Sequence, residues 1–232
     1  MEKITLRNDQ ITIVHGATPS YAPLTALTFP NHAEYAAKQG YMLKTVDFQP
    51  SEATWGKIRI LREILNDTNI RRVFWIDADA IFTNMELALT EHLPDGKIVM
   101  ACEVLGPNTG SMWLENCPEV HRLLWIIATR GHQMFATRAW HEQSAFRYFA
   151  LHPPYDKVIQ YVEQTRMNSG FTEHYKSWSR PQDGFGQWQP DHLILHLPGV
   201  RMKPAMEVLQ KVLSSQKGEF CIKESENRDG PS

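Results

Sequence analysis

The sequence predicts an α/β fold: one Rossmann-like, mostly parallel central sheet flanked by helices. Two observations carry that prediction. Short β-branched apolar runs alternate with segments whose apolar residues recur three and four apart. One such run, Val73-Phe74-Trp75-Ile76, leads straight into Asp77 and Asp79. That is what a buried strand looks like where it leaves a parallel sheet, at the edge where such sheets bind ligands. A chain of 232 residues is long enough for one sizeable core.

The elements follow in order. Ile11 to His15, ended by Gly16, reads as the first strand, and His32 to Gln39, closed by Gly40, as a helix with a glycine stop. Met42 to Phe48 is a second strand. Thr54 to Leu65 places Ile58, Leu61 and Leu65 on one helix face. Val73 to Ile76 and Ile98 to Ala101 are the third and fourth strands. Glu119 to Thr129 and Trp140 to Phe149 have helical spacing, while Asp156 to Gln164 fits strand or helix. Tyr175 to Pro190 is rich in Gly, Pro and polar residues and reads as a long loop. His192 to Leu197 is a short strand and Ala205 to Leu213 a closing helix. Residues 1–213 thus form a single domain, and 214–232 a polar, frayed tail. No internal repeat is visible.

Composition narrows the function classes. Hydrophobic content of 42% with 22% charged residues is that of a globular protein. A formal net charge of −2 gives no electrostatic case for a nucleic-acid partner. Cys102, Cys117 and Cys221 cannot pair completely and lack metal-ligand spacing, which fits a reducing compartment. The N-terminal decapeptide has no apolar signal core, and no run is long enough to span a bilayer. The chain reads as soluble and cytoplasmic, with no integral membrane segment.

The acidic pair is the first candidate site. Residues two apart on a strand point to the same side, so Asp77 and Asp79 converge. Buried carboxylates need a partner or a metal, and two of them make a hard-oxygen site for a divalent cation carrying phosphate oxygens. The competing reading is a solvated turn whose aspartates cap a helix at Asn84; the apolar run before the pair and "AIFTN" after it weigh against that. A third ligand is read in "PDHLILHLPG". The spacing of His192 and His196 would suit a zinc-binding helix, but Pro190 and Pro198 bound too short a run. His196 then ends a strand, free to reach a metal. Two carboxylates and one imidazole suit Mn²⁺, with Mg²⁺ as the alternative.

Five stretches, in order, resemble the GT-A glycosyltransferases of glycosyltransferase family 34, which includes galactosyl-, mannosyl- and xylosyltransferases. "WGKIRILREIL" (55–65) is similar to the family's W-x-K helix and "FWIDADAIFTN" (74–84) to its D-x-D block. "NTGSMWLENC" (108–117) looks like its N-T-G-x-x-L-x-R-N segment, and "WHEQSAF" (140–146) like its W-D-D-Q-S-A. "QPDHLILHLPG" (189–199) is similar to its P-G-D-x-x-x-H-x-x-G. There are departures. His141 and Glu142 stand where the family has two aspartates, Glu115 replaces an arginine, and the lysine after H-x-x-G is shifted into "VRMKP".

The resemblance implies a GT-A fold with a D-x-D metal site at the strand ends. It also implies transfer of a sugar from a nucleotide-sugar, a UDP-sugar, to a glycan or other hydroxyl acceptor, with retention at the anomeric carbon. In that reading Asp77, Asp79 and His196 hold the metal, and Ala78 lies between the donor-binding aspartates. Arg201 or Lys203 adds a cation to the leaving diphosphate. By fold analogy the nucleotide sits at His15, Gly16 and Ala17. Asn108, Thr109 and Gly110, otherwise a turn before a strand, fall in the donor-sugar and acceptor region, with Lys57 and Gly199 further donor-binding positions. Glu142 and Gln143 lie near the anomeric carbon or else form a solvated helix face, and Lys57 by itself reads as a solvated helix lysine. Trp75 and Trp125, in apolar runs, are expected in the core. Trp178 and Trp188 either stack on an acceptor sugar or anchor their loop. Two other function classes compete: a haloacid-dehalogenase-like phosphohydrolase, which also places D-x-D after a strand, and a non-catalytic sugar-binding module.

Overall fold

The computed structural model describes residues 7–49, 52, 54–103, 106–171 and 186–216. Its strands are β1 (Ile11–Ala17), β2 (Met42–Asp47), β3 (Arg72–Asp77), β4 (Ala80–Phe82), β5 (Ile98–Glu103), β6 (Gly106–Glu115), β7 (Ile159–Glu163) and β8 (Ile194–His196). The helices are α1 (Ala22–Gln39), α2 (Trp55–Leu65), α3 (Leu89–His92), α4 (Pro118–Ile126), α5 (His132–Phe135), α6 (His141–Ala150), α7 (Gln164–Met167) and α8 (Met202–Gln216). Six strands form the central sheet in the order β2-β1-β3-β6-β5-β7. It is mostly parallel; β6 alone runs against its neighbours β3 and β5. A second, two-stranded antiparallel sheet pairs β4 with β8 and sets Ala80 opposite His196.

β3 explains why its sequence is apolar throughout. Val73 and Trp75 pack on one face with Val14, Ile58, Leu61 and Phe146. Phe74 and Ile76 pack on the other with Ile13, Tyr35 and Phe82. A strand covered on both faces reads as a continuous hydrophobic run because its alternation is hidden. A third apolar cluster joins Ile81 and Leu195 of the small sheet to Leu24 of α1 and to Ala205, Leu209 and Val212 of α8.

Several elements depart from the sequence reading. The first helix starts at Ala22 rather than near His32 and carries Pro30 inside it. Proline there costs one backbone hydrogen bond, and the helix persists because its buried polar face grips the chain around the acidic pair. Thr28 Oγ1 donates to Ala78 O (3.0 Å), and Asn31 Nδ2 to Phe82 O (2.9 Å) while its Oδ1 accepts from Phe82 N (2.8 Å). Gly40 does close the helix, in the left-handed region at φ 70°. Asn108, Thr109 and Gly110 are not a turn before a strand; they lie within β6, whose glycines and proline dilute its β character. β4 is a further strand, so no helix at Asn84 is capped by the aspartates. The ambiguous segment after Asp156 resolves as β7. The closing helix runs from Met202 to Gln216, beyond the expected start of the tail. Trp125 is not core: it is 52% exposed, because it falls on the outer face of α4. Residues 175–185 of the expected loop, with Trp178, and residues 217–232, with Cys221, lie outside the described residues. Trp188 anchors its loop, packing on Phe171 and donating its indole N–H to Thr83 Oγ1 (3.0 Å). No described helix is long and apolar enough to cross a membrane.

Candidate active site

Asp77 ends β3 and Asp79 opens the turn into β4, while His196 ends β8 directly across from Ala80. One ligand atom from each of the three lies within 4.8 Å of the others. Pairing within the small sheet is what brings His196 to the aspartates, since 117 residues separate it from Asp79.

Asp77 is held from inside. Its Oδ1 accepts from the Trp75 indole (2.6 Å) and from Lys57 Nζ (2.9 Å). Lys57 is only 3% exposed, so the expectation of a solvated helix lysine is overturned. Its ammonium also donates to Thr109 O (2.8 Å) and stands 3.7 Å from Glu142 Oε1. Burial alone would lower its pKa, but Asp77 and Glu142 outweigh that and hold it above the usual lysine value. Burial pushes the Asp77 carboxyl up, against the pull of Lys57 and reinforced by the charge of Asp79.

Asp79 is held from the other side. His196 Nε2 lies 3.2 Å from Asp79 Oδ1, and Nδ1 lies 2.7 Å from Asn168 Oδ1. Asn168 Nδ2 donates to Glu103 Oε1 (2.5 Å), so its oxygen must face the imidazole, and Nδ1 therefore carries the proton. Nε2 is left toward the aspartates, as a donor in the imidazolium and as a lone pair in the neutral ring. Burial would lower the His196 pKa, but Asp79, with smaller contributions from Asp77 and Glu103, raises it above the usual value. Gly110 of β6 makes room for this ring: a Cβ there would sit 2.1 Å from His196 Cε1.

Glu142 is buried at 2% exposure, so the solvated-face reading of this position is also overturned. Thr109 Oγ1 donates to its Oε1 (3.0 Å), while Oε2 has no hydrogen-bond partner among the described residues. Gln143 Oε1 accepts from Thr109 N at 3.4 Å. The residue that launches α6, Trp140, has φ 60°, a costly conformation for a non-glycine residue, and with it the chain turns Glu142 inward.

Not every expected residue joins the cluster. Gly16 pairs in register with Asp77, which puts the end of β1 beside the site. Its lack of a side chain is explained by packing, since a Cβ would meet Trp75 at 2.2 Å. Ala17 follows on the same strand end, and Ala78 is buried between the aspartates. His15 turns inward: its Nδ1 lies 2.9 Å from His32 Nδ1. Burial lowers the His15 pKa to about 4 and that of His32 to about 3, so both rings are neutral and part of the interior. Gly199 adopts φ 70° in open space, and Arg201 and Lys203 are exposed at the start of α8. Neither cation pairs with the acidic cluster among the described residues.

Glu103, Trp75 and Asn168 are site residues that the sequence reading missed in this role. Glu103 closes β5 as Asp77 closes β3, so the rule that ligands gather at strand ends would have found it. Asn168, in irregular backbone after α7, carries no such signal.

The donor set fits a divalent cation. Two carboxylates and an imidazole whose tautomer is fixed by an outer amide are a recognised ligand arrangement. Among the described residues, Lys57 stands beside Asp77 and Glu142, His196 beside Asp79, and Glu103 accepts from Asn168.

Comparison with known proteins agrees with this architecture. The fold is that of the GT-A glycosyltransferases. A glycosyltransferase involved in glycosylation of the major capsid of PBCV-1 superposes with a TM-score of 0.69 at 16% identity, over 87% of this chain and 98% of that one. The galactosyltransferase LgtC, solved with donor and acceptor sugar analogs, superposes with a TM-score of 0.54 at 12% identity, over 90% of this chain and 100% of its own. GlyE of Streptococcus pneumoniae TIGR4 gives 0.53 at 14% identity, over 90% of this chain but 63% of GlyE. Residues 10–105 match the family described as the galactosyl transferase GMA12/MNN10 family. That stretch contains the helix of Lys57, the strand that ends at Asp77 and the turn that holds Asp79; His196 and Glu142 lie beyond it. No curated protein sequence matches significantly. Family match and fold together support a transferase.

Proposed function

We propose that this chain is a metal-dependent glycosyltransferase that moves a sugar from a UDP-sugar to a hydroxyl of a glycan or similar acceptor, with retention. The observation that carries the reading is the convergence of Asp77, Asp79 and His196 within 4.8 Å at the end of β3, the two aspartates lying in the family-matched stretch. Those three residues would hold Mn²⁺, or Mg²⁺, whose chemistry is Lewis-acid stabilisation of the departing diphosphate. Two carboxylates with one nitrogen favour Mn²⁺.

The chain's own groups have separable tasks. Lys57 orients Asp77 from below and opposes the upward push of burial on its carboxyl. Asn168 and Glu103 hold His196 so that Nε2 faces the aspartates. Gly16 and Ala17 offer the end of β1 to the nucleotide, whereas the buried His15 supports that strand end from within. Asn108, Thr109 and Gly110 of β6 would contact the donor sugar, and Gly199, in the loop before α8, would be a further donor contact. Arg201 or Lys203, both exposed, would supply a second cation to the leaving diphosphate. Glu142 Oε2 is a buried carboxylate oxygen without a partner among the described residues, and a sugar hydroxyl would satisfy it. Gln143 is a poor base, which fits retention. In a retaining reaction the acceptor attacks from the leaving-group side, and its proton can pass to the departing phosphate. Cys102 and Cys117 are free thiols, in keeping with a reducing cytoplasmic setting.

The experiment is a screen of nucleotide-sugars for release of the nucleotide diphosphate with Mn²⁺ and after chelation. Release from a UDP-sugar that stops on chelation is expected; equal release in both conditions contradicts the reading. NMR of the product then tests retention: an α-linkage from an α-donor is expected. A β-linkage lost in Glu142→Gln would make Glu142 the base of an inverting enzyme.

A further inference from the structure

Between the outer faces of α2 and α4 lies a cleft of about 360 Å³ lined by Arg62, Asn66, His121, Arg122 and Trp125. It is separate from the acidic site. Lys57 lies in the first turn of α2, whereas Asn66 follows its last, about 13 Å further along the axis at 1.5 Å per residue.

Its chemistry is set by which neighbouring acids are already engaged. Glu63, next to Arg62, is held by Arg59 at 2.9 Å. Glu119, one helical turn before Arg122, is held by Lys97 at 2.7 Å. Arg62 and Arg122 have no ion pair among the described residues, and no acid lines the cleft. Two unneutralised guanidinium groups therefore face one cavity on a chain whose net charge is −2. Arginine forks suit planar carboxylates and phosphates.

Two further groups favour a sugar over a bare anion. Trp125 is 52% exposed, and an indole face in a cleft offers a stacking surface for an apolar ring face. Asn116 Nδ2 donates to Ile70 O (2.8 Å) and Asp67 O (3.1 Å), so its Oδ1 accepts from His121 Nε2 (2.7 Å). That fixes the neutral His121 tautomer with Nδ1 as an acceptor, able to take a hydroxyl. The volume lies at the lower end for ligand sites and suits one or two sugar rings.

We propose that this cleft is a second saccharide site that binds an anionic sugar unit, carrying a carboxylate or a phosphate. The proposal rests on the glycosyltransferase reading only in taking a saccharide as the natural ligand. Calorimetry on the whole chain, with chelator present so that the acidic site holds no metal, would use digalacturonate, a hexose phosphate, maltose and inorganic phosphate. At least one anionic sugar should bind about tenfold more tightly than maltose or inorganic phosphate, and the tighter of the two assigns carboxylate or phosphate. Arg62→Gln with Arg122→Gln should weaken that binding about tenfold, and added salt should weaken it in the wild type. Trp125→Ala should weaken sugar binding by about fivefold and leave inorganic phosphate unaffected. Maltose or inorganic phosphate binding as tightly as the anionic sugars would overturn the proposal. So would no binding at millimolar concentration, or unchanged affinity in the double variant. Metal-dependent donor hydrolysis, measured on the same variants, should be unchanged. Its absence in the wild type, with cleft binding intact, would defeat the catalytic reading and leave this one standing.

Discussion

Asp77 and Asp79 stand two residues apart, yet they are neutralised by different means. Asp77 faces a buried lysine that also bonds Thr109 O and lies beside Glu142, so its positive partner is built into the fold. Asp79 faces His196, whose positive charge is a proton held above its usual pKa by Asp79 itself. One charge is permanent and the other exchangeable. A divalent cation at Asp79 and His196 would compete with that proton for Nε2. The difference teaches which residue supports the frame and which surrenders its partner to the ligand.

The largest expected effect breaks the permanent side. Lys57→Met leaves the buried Glu142 and the partly buried Asp77 without their cation, and urea unfolding of the metal-free protein should show a loss of about 3 kcal/mol. A loss below about 1 kcal/mol, the scale of an exposed pair, would mean Lys57 is not the internal counter-ion. Asp79→Ala attacks the exchangeable side instead. Turnover should fall by roughly 10²-fold or more, the scale for removing a main stabiliser of developing charge, while the metal-free protein should lose less stability than Lys57→Met does. Unchanged turnover would move the catalytic centre elsewhere. Smaller effects sharpen the contrast. Asn168→Ala frees His196 Nδ1, and Gly110→Ala crowds its ring. Each should lower Mn²⁺ affinity by about 10- to 100-fold, the range for lost outer-shell support. If calorimetry finds both variants at wild-type affinity, the histidine is not held for a metal.

How much of this was legible depends on the length scale of each signal. The run before Asp77 and the glycine stop at Gly40 are local, and both were read correctly in kind. The convergence of Asp77, Asp79 and His196 was legible as well, because Pro190 and Pro198 argued for a strand and the resemblance supplied the order of the stretches. Lys57 and Glu142 were ambiguous because a helix does not announce which face it buries; tertiary packing turned both inward. β6 was hidden because Gly106, Pro107 and Gly110 are poor strand formers in isolation. Gly110 is tolerated for the space it gives His196. α1 was cut short in the reading by Pro30, whose local cost is offset by the grip of Thr28 and Asn31 on the β3–β4 segment. Asn168 acts only through contacts distant in sequence, and no pattern could have placed it.

The central claim is that metal and proton compete at His196 and Asp79. A folded-state pKa above the usual histidine value means the imidazolium stabilises the metal-free fold below about pH 6.5, and that this stabilisation is lost as pH rises through the folded pKa. Metal binding follows the opposite course, because it requires neutral Nε2 and displaces the proton. The direct measurement is Mn²⁺ affinity by calorimetry between pH 6 and pH 8, for the wild type and for His196→Asp. The wild type should bind more tightly as pH rises, with the change extending above pH 6.5, while the aspartate variant, ionised throughout, should show a much flatter profile. Parallel profiles for the two proteins would contradict the account, and His196 would not be a ligand.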